Sequence, residues 1–259
     1  DSDDPAMLPT RVEGLTRLSD GRIVILDGQT SEVRWFTSEG EHIVTRGGKG
    51  KGPGEFTYAM ALVAIGGDTV LVRDAPRLKH VLFGPDTELV GEEFVDHEQY
   101  RTHGRWLECV NLTLPDRSLL GCQPEPGLPA SASGRPGWLR TFGRYVLVPW
   151  SLDTAHRLGL YGGIEQWGVK NDRGRISYVV HPYYARTAVA AGGNPLRIAI
   201  ALNPEYTIEV WSVDGVLEHI IRRSGARWPV STEQQASAEE QMRFYAFGDE
   251  PLFNRMLAE

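Results

Sequence analysis

The side chains from which chemistry could be built here are seven histidines, two cysteines and 34 carboxylates in a chain of 259 residues. The histidines are His42, His80, His97, His103, His156, His181 and His219. No two of them have the His-x-x-x-His spacing that sets two imidazoles on one helical face, and no His-Glu-x-x-His is present. His97 and His103 flank Tyr100, with Asp96 and Glu98 beside them. That set could hold a metal, but it reads better as a solvated loop. No Gly-x-Ser-x-Gly elbow marks a nucleophile. These patterns nominate no catalytic residue, no metal ligand and no cofactor. The densest polar-aromatic cluster is His181-Pro-Tyr-Tyr-Ala-Arg186. His181, Tyr183, Tyr184 and Arg186 are therefore the candidate ligand or partner contacts. They could line a channel mouth, or they could belong to a strand whose rings pack between neighbouring sheets.

The elements that must position such residues are short β runs in a repeating order. Asp20-Gly-Arg-Ile-Val-Ile-Leu-Asp27 is a strand led by a turn. Glu32-Val-Arg-Trp-Phe36, a Glu-Gly turn and Glu41–Arg46 follow. The same order recurs at Gly67–Asp74, Leu78–Phe83 and Thr87–Val90, and again at Leu196–Leu202, Tyr206–Trp211 and Val216–Ile221. A unit of roughly 40–50 residues holding several short strands is the signature of a propeller blade. Each such meander cannot bury both faces alone, so neighbours must stack. The spacing predicts about five such units in the chain. The third falls at Cys109–Cys122, and a less regular fourth over Trp138–Trp150 and Ile164–Val180. Asp20, Asp86 and Asp214 sit in turns, where Asp is expected for backbone reasons. Asp27 and Asp74 occupy one position of the repeat, which argues a structural role. Trp106, Trp138, Trp150, Trp167, Trp211 and Trp228 read as filler between units. Ser231-Thr-Glu-Gln234 has the form of a capping box, and residues 233–246 are rich in helix formers, so a helix follows. The apolar residues after it, Phe244, Phe247, Leu252, Phe253 and Met256, are expected to pack on the β domain. The domains expected are a β domain over 1–230 and a helical segment over 231–259.

Cys109 and Cys122 bracket a hairpin signal, with Pro115-Asp116 between two alternating apolar runs. A two-residue turn centred there sets the two cysteines directly opposite one another, at a spacing near that of a disulfide. A bridge between them would imply an oxidising compartment. The alternative is two buried thiols in a cytosolic protein.

The stretches Leu18–Asp27, Val33-Arg-Trp-Phe36 and Glu39-Gly40, and above all Gly47-Gly-Lys-Gly-Lys-Gly-Pro-Gly-Glu-Phe56, resemble the six-bladed β-propeller family related to NHL-repeat proteins. In that family a Gly-x-Gly-x-Gly-Pro-Gly-x-Phe loop leads from the outer strand of one blade to the inner strand of the next. The resemblance extends to Tyr183–Arg186, Ala191-Gly-Gly193 and Tyr206–Arg223. It implies an all-β, six-bladed type of β-propeller with a short C-terminal helical segment. Family members usually continue past the helical segment to close the ring, whereas this sequence stops at Glu259, so the resemblance leaves three forms open: an open ring, a trimmed one, or one closed by its first residues. Within the loop, Gly50, Gly52, Pro53, Gly54 and Phe56 are the structural residues. Glycine permits close backbone approach, Pro53 stiffens the exit, and Phe56 can pin the loop under the next blade. A phosphate cradle does not fit, because Gly50-Lys51 is followed by Gly52 rather than Ser or Thr, and β signals follow.

A net charge of −7 argues against a nucleic-acid partner. No apolar run approaches the roughly 18 residues of a membrane span. The first residue is Asp, with no charged-then-apolar leader before it, as in a mature or trimmed chain. The function expected is a non-enzymatic propeller, periplasmic or secreted, that binds or scaffolds a protein partner. One version is an accessory subunit of a membrane-associated complex. Relatives of the resembled family include calcium-dependent lactonases and a peptide-amidating lyase. The resemblance thus keeps open a metal-dependent hydrolase or lyase with a central-channel cation, although the ligands of those enzymes find no residue-by-residue match here. A carbohydrate-binding module using Trp and Tyr is a second alternative.

Overall fold

The structure is a computed structural model, and it describes residues 9–74, 77–94, 112–124, 137–151, 154–170, 176–180, 187–202, 206–225, 229–245 and 250–257. The fold is all-β, with a short helical C-terminal segment. Its strands form four antiparallel sheets. The first holds β1 (Val12–Arg17), β2 (Ile23–Asp27), β3 (Glu32–Phe36) and β4 (His42–Gly47), in sequence order. The second holds β5 (Ala59–Ile65), β6 (Thr69–Asp74), β7 (Lys79–Phe83) and β8 (Leu89–Phe94), again in order. The third has five strands, β9 (Leu112–Thr113), β10 (Leu119–Pro124), β11 (Gly137–Val148), β12 (His156–Lys170) and β13 (Ile176–Val180). The fourth holds β14 (Thr187–Gly192), β15 (Arg197–Leu202), β16 (Thr207–Ser212) and β17 (Leu217–Arg222). The chain divides into two compact units, residues 1–121 with 147–156, and residues 122–146 with 157–259.

One turn builds most of these meanders. Between β3 and β4 the Thr37 N–H donates to Glu41 O and the Gly40 N–H to Thr37 O, with Gly40 at φ 94°. The same two bonds recur around Gly21, Thr87, Arg117 and Gly215, each at positive φ. The loop is thus three residues long and ends on a left-handed residue, a form whose twist suits a hairpin. Its middle residue is often Asp. The Oδ1 atoms of Asp20, Asp86 and Asp116 accept the N–H two residues on, from Arg22, Glu88 and Ser118. That is the backbone role expected for turn aspartates.

The turn corrects one expectation. Pro115-Asp116 was expected as a two-residue turn, but Arg117 joins the loop at φ 70°. The extra residue shifts the pairing, so that Leu119 faces Thr113 and Leu120 faces Leu112. A two-residue turn would have set Leu119 opposite Leu112, so the register that placed Cys109 straight across from Cys122 does not hold. The count of about five units also differs from the four sheets seen among the described residues. The stretches expected as a third and an irregular fourth unit contribute strands to one sheet, because β11 and β12 run to 12 and 15 residues.

Packing of the first unit follows from alternation. Val24 and Leu26 of β2 pair with Trp35 and Val33 of β3, so all four share one face of the first sheet. Val70 and Val72 pair with Phe83 and Val81 on one face of the second. All eight are buried in a single core with Leu18, Phe56 and Ala59. Trp35 meets Phe83 edge to face, with centroids 5.6 Å apart. Each such side chain contributes roughly 1.5–3 kcal/mol on burial. A left-handed turn residue matters by about 1–2 kcal/mol. Stacking therefore holds the sheets, and the turns set register.

The C-terminal segment comprises α1 (Thr232–Tyr245) and α2 (Glu250–Leu257). The capping box at its start is formed in both directions. The Gln234 N–H donates to Ser231 Oγ at 3.2 Å, and the Ser231 N–H donates to Gln234 Oε1 at 2.9 Å. Phe253 is buried under the Arg243 guanidinium, 4.1 Å from its ring centroid. Phe244, by contrast, is exposed, against the expectation that it packs.

A Cβ at Gly40 would meet nothing within 4 Å, so only its φ resists substitution. Gly66 is equally open without a left-handed φ. Gly40→Ala is expected to cost about 1–2 kcal/mol, and Gly66→Ala to stay within about 0.5 kcal/mol of wild type. Denaturant unfolding of the two variants checks the pair.

Candidate functional site

The candidate contacts His181, Tyr183, Tyr184 and Arg186 lie outside the described residues, as do Cys109, His97 and His103. Cys122 is buried, and no free cysteine is found among the described residues. No group of three or more His, Cys, Asp or Glu side chains among them could hold a metal ion. What the structure does place are the loop and the recurrent carboxylates singled out from the sequence, and two clusters that the sequence did not single out.

The loop joins β4 to β5 and is clasped from below. The Phe56 N–H donates to Gly48 O and the Gly50 N–H donates to Phe56 O, both at 2.9 Å. Phe56 is fully buried. A Cβ at Gly47 would sit 2.7 Å from the Phe56 ring, and Gly47 has φ 78°, so glycine is needed twice over. Pro53 followed by Gly54 at φ 76° fits the central pair of a type II turn. The Glu55 N–H donates to Gly52 O at 3.1 Å, closing that turn, and the Gly52 N–H donates to Glu55 Oε2 at 2.8 Å. Beneath it lies Lys79 of β7, with no exposed surface. Its Nζ donates to Glu55 O at 2.9 Å and to Glu92 Oε1 at 2.7 Å, and the Gly54 N–H donates to the same Glu92 oxygen at 2.9 Å. Burial works to raise the Glu92 pKa, but the bonds from Lys79 and Gly54 and the charges of Lys79 and Arg77 override it, and the net direction is down. The clasp fixes the backbone path of the loop through Gly50, Gly52, Gly54 and Phe56.

Asp27 and Asp74 do matching work. Asp27 Oδ2 accepts from the Thr10 N–H and hydroxyl, and its Oδ1 from the Gln29 and Thr30 N–H groups. Asp74 accepts from the Thr57 and Tyr58 N–H groups. Each carboxylate thus ties the end of its strand to the segment that enters the same sheet. Burial would raise the Asp27 pKa, yet the hydrogen bonds from Thr10, Gln29 and Thr30 win and hold it at about 2. These carboxylates are occupied and not available for acid–base work.

The first unexpected cluster centres on His80. Across the second sheet, His80 of β7 lies between Arg73 of β6 and Glu93 of β8. Arg117 Nη1 donates to both Glu93 oxygens, at 3.1 and 2.8 Å. The Trp150 indole stacks on the imidazole with centroids 4.6 Å apart and planes at 23°. His80 has no exposed surface, and neither ring nitrogen has a hydrogen-bond partner. Burial, then the charges of Arg73 and Arg117, push its pKa down to about 4. The second cluster lies in the other unit. Tyr161 donates its hydroxyl hydrogen to Glu209 Oε2 at 2.5 Å and accepts the Trp211 Nε1–H at 3.0 Å. Tyr145 meets the Tyr161 ring edge to face. Burial and the bond to Glu209 raise the Tyr161 pKa further, and burial pushes Tyr145 up to about 12. Both phenols stay protonated at neutral pH, so neither serves as a base, and the Tyr161–Glu209 bond fastens β12 to β16.

The sequence signal for His80 was slight. Lys79 and His80 stand at the head of a run whose five residues are all buried, and two adjacent polar residues there must point to opposite faces. Trp150 was expected as packing filler, and it does pack, but on an imidazole.

The sequence matches no protein-family model, and no curated protein matches it. Solved structures similar to the chain include a candidate exported protein from Bacteroides fragilis, at 13% identity and a TM-score of 0.41, covering 85% of this chain and 73% of that one. They also include a virginiamycin B lyase from Staphylococcus aureus, at 10% identity and 0.39, covering 84% and 72%. A nidogen/laminin complex matches at 12% identity and 0.36, covering 82% and 80%. Likeness at this level says nothing about activity or ligand.

The Asp27 carboxylate makes a pH prediction. Its folded pKa is depressed from 3.8 to about 2, so its contribution is complete above 3.8 and is lost as pH falls toward 2. The expected loss is about 2 kcal/mol. Chemical denaturation between pH 5 and pH 2 should show that loss in wild type and a correspondingly smaller one in Asp27→Asn.

Proposed function

We propose that the chain is a non-enzymatic, extracytoplasmic β-propeller of the six-bladed type that binds or scaffolds a protein partner. An accessory subunit of a larger, membrane-associated assembly is one form of that role. The observation that carries the reading is β17. All six of its residues are exposed, Leu217, Ile220 and Ile221 among them, and it is the edge strand of its sheet. An exposed apolar edge carries free backbone donors and acceptors beside apolar side chains, the combination that invites a protein strand or surface. His181, Tyr183, Tyr184 and Arg186 are proposed as further contacts, since they precede β14 of the same sheet in the chain. Among the described residues no helix is long and apolar enough to cross a membrane.

A Cys109–Cys122 bridge is part of this proposal and supports a periplasmic or secreted location. Its support is that Cys122, buried, is not a free thiol. Alkylation under denaturing conditions should leave both cysteines unmodified until reductant is added. Immediate labelling of both would place the chain in a reducing compartment.

The partner reading is tested by purifying the tagged chain from its native host beside an Ile220→Glu/Ile221→Glu variant of unchanged circular dichroism. Co-purifying protein is expected at near-stoichiometric amounts with wild type, and at least tenfold less with the variant. Equal recovery with both would move the contact elsewhere. A stoichiometric bound calcium with lactone-hydrolysing activity in the purified chain would replace the scaffold reading with the hydrolase one.

A further inference from the structure

We infer that His80 and Trp150 form an acid-released latch, in which the neutral imidazole holds the indole against the second sheet and protonation frees it. The geometry supplies the argument. The imidazole is wholly enclosed, and neither nitrogen has a partner. A neutral ring leaves one N–H and one lone pair unmet; an imidazolium would leave two charged N–H groups unmet. Among the described residues, the charged groups that face it are Arg73 from β6, Glu93 from β8 and Arg117 from the β9–β10 turn. Glu93 is the only acid among them, and both its oxygens already accept from Arg117. Among the described residues, an added charge at His80 therefore finds a like charge across the strand pair and no uncommitted carboxylate. The indole face would attract a cation. That attraction is smaller than the cost of burying an unpaired charge without hydrogen bonds. The low pKa of His80 agrees with this balance.

The way out is outward. Arg73 and His80 are anchored in central strands of the second sheet, whereas Trp150 sits in a turn just beyond the end of β11. Trp150 is the member that can leave at least cost to the ladder, and its departure lets water reach the imidazolium. The resulting switch needs no ligand. It converts mild acidity into exposure of an indole and of the sheet face beneath it.

The linkage fixes the response. An opened, hydrated imidazole titrates near its ordinary pKa of about 6.5, and the closed one near 4. Between those values the ratio of open to closed forms should rise about tenfold per pH unit of acidification. Below the lower value it should level off. The test uses the full chain, its Trp150→Phe variant and its His80→Phe variant, which keeps a flat ring but cannot be protonated. Tryptophan fluorescence and near-ultraviolet circular dichroism are followed from pH 7.5 to pH 4. Wild type should show a reversible change across pH 6.5 to 4, absent from Trp150→Phe and from His80→Phe. The same change in His80→Phe would overturn the latch. The His80 ring shift in wild-type protein, followed by NMR, stands independently of whether either variant folds. A ring that titrates at its ordinary value with the stack still closed would also overturn the proposal, and titration displaced well below 6 would support it.

Discussion

One face of a four-stranded meander cannot stay in water, and the rest of the first unit depends on how it is covered. Val24, Leu26, Val33 and Trp35 present that face on the first sheet, and Val70, Val72, Val81 and Phe83 answer it on the second. Eight fully enclosed side chains outweigh any turn or ion pair in the unit, at roughly 1.5–3 kcal/mol each. The turns and polar ties act on top of this burial. They decide which residue meets which, and so they make one packing arrangement out of many apolar ones.

The polar ties are placed where two sheets or two segments must be held in step. Asp27 and Asp74 fasten incoming segments to the ends of central strands. Lys79 and Glu92 clamp the loop that carries the chain from the first sheet to the second. Tyr161 and Glu209 do the same between β12 and β16 in the other unit. Buried polar groups are costly unless hydrogen-bonded, and each of these is hydrogen-bonded. His80 departs from the pattern, because it is enclosed with neither nitrogen satisfied.

Much of this was legible in the sequence, for local reasons. Asp27 and Asp74 stand one repeat apart, as do Phe36 and Phe83, so the period could be read directly. The Ser231–Gln234 box, the turn aspartates and the Gly-Pro-Gly-Glu-Phe loop are encoded within a few residues each, and all appear as their chemistry requires. What was not legible depends on contacts far apart in the chain. The stack of His80 on Trp150 spans 70 positions and has no local signature. The third sheet escaped because β11 and β12 are too long for the repeat. The hairpin register failed on a single residue. Arginine is not a residue one expects at left-handed φ, but Arg117 takes that conformation, and its guanidinium reaches Glu93.

The clasp under the glycine-rich loop has a chemical corollary. The ε-amine of Lys79 has no exposed surface, whereas Lys49 and Lys51 stand out on the loop directly above it. A chain with only four lysines therefore displays two neighbouring amines on one stiff bend while concealing the third beneath. Reagents that acylate amines would write almost their whole signature for this region onto that bend, so a neighbour shielding either lysine would announce itself there.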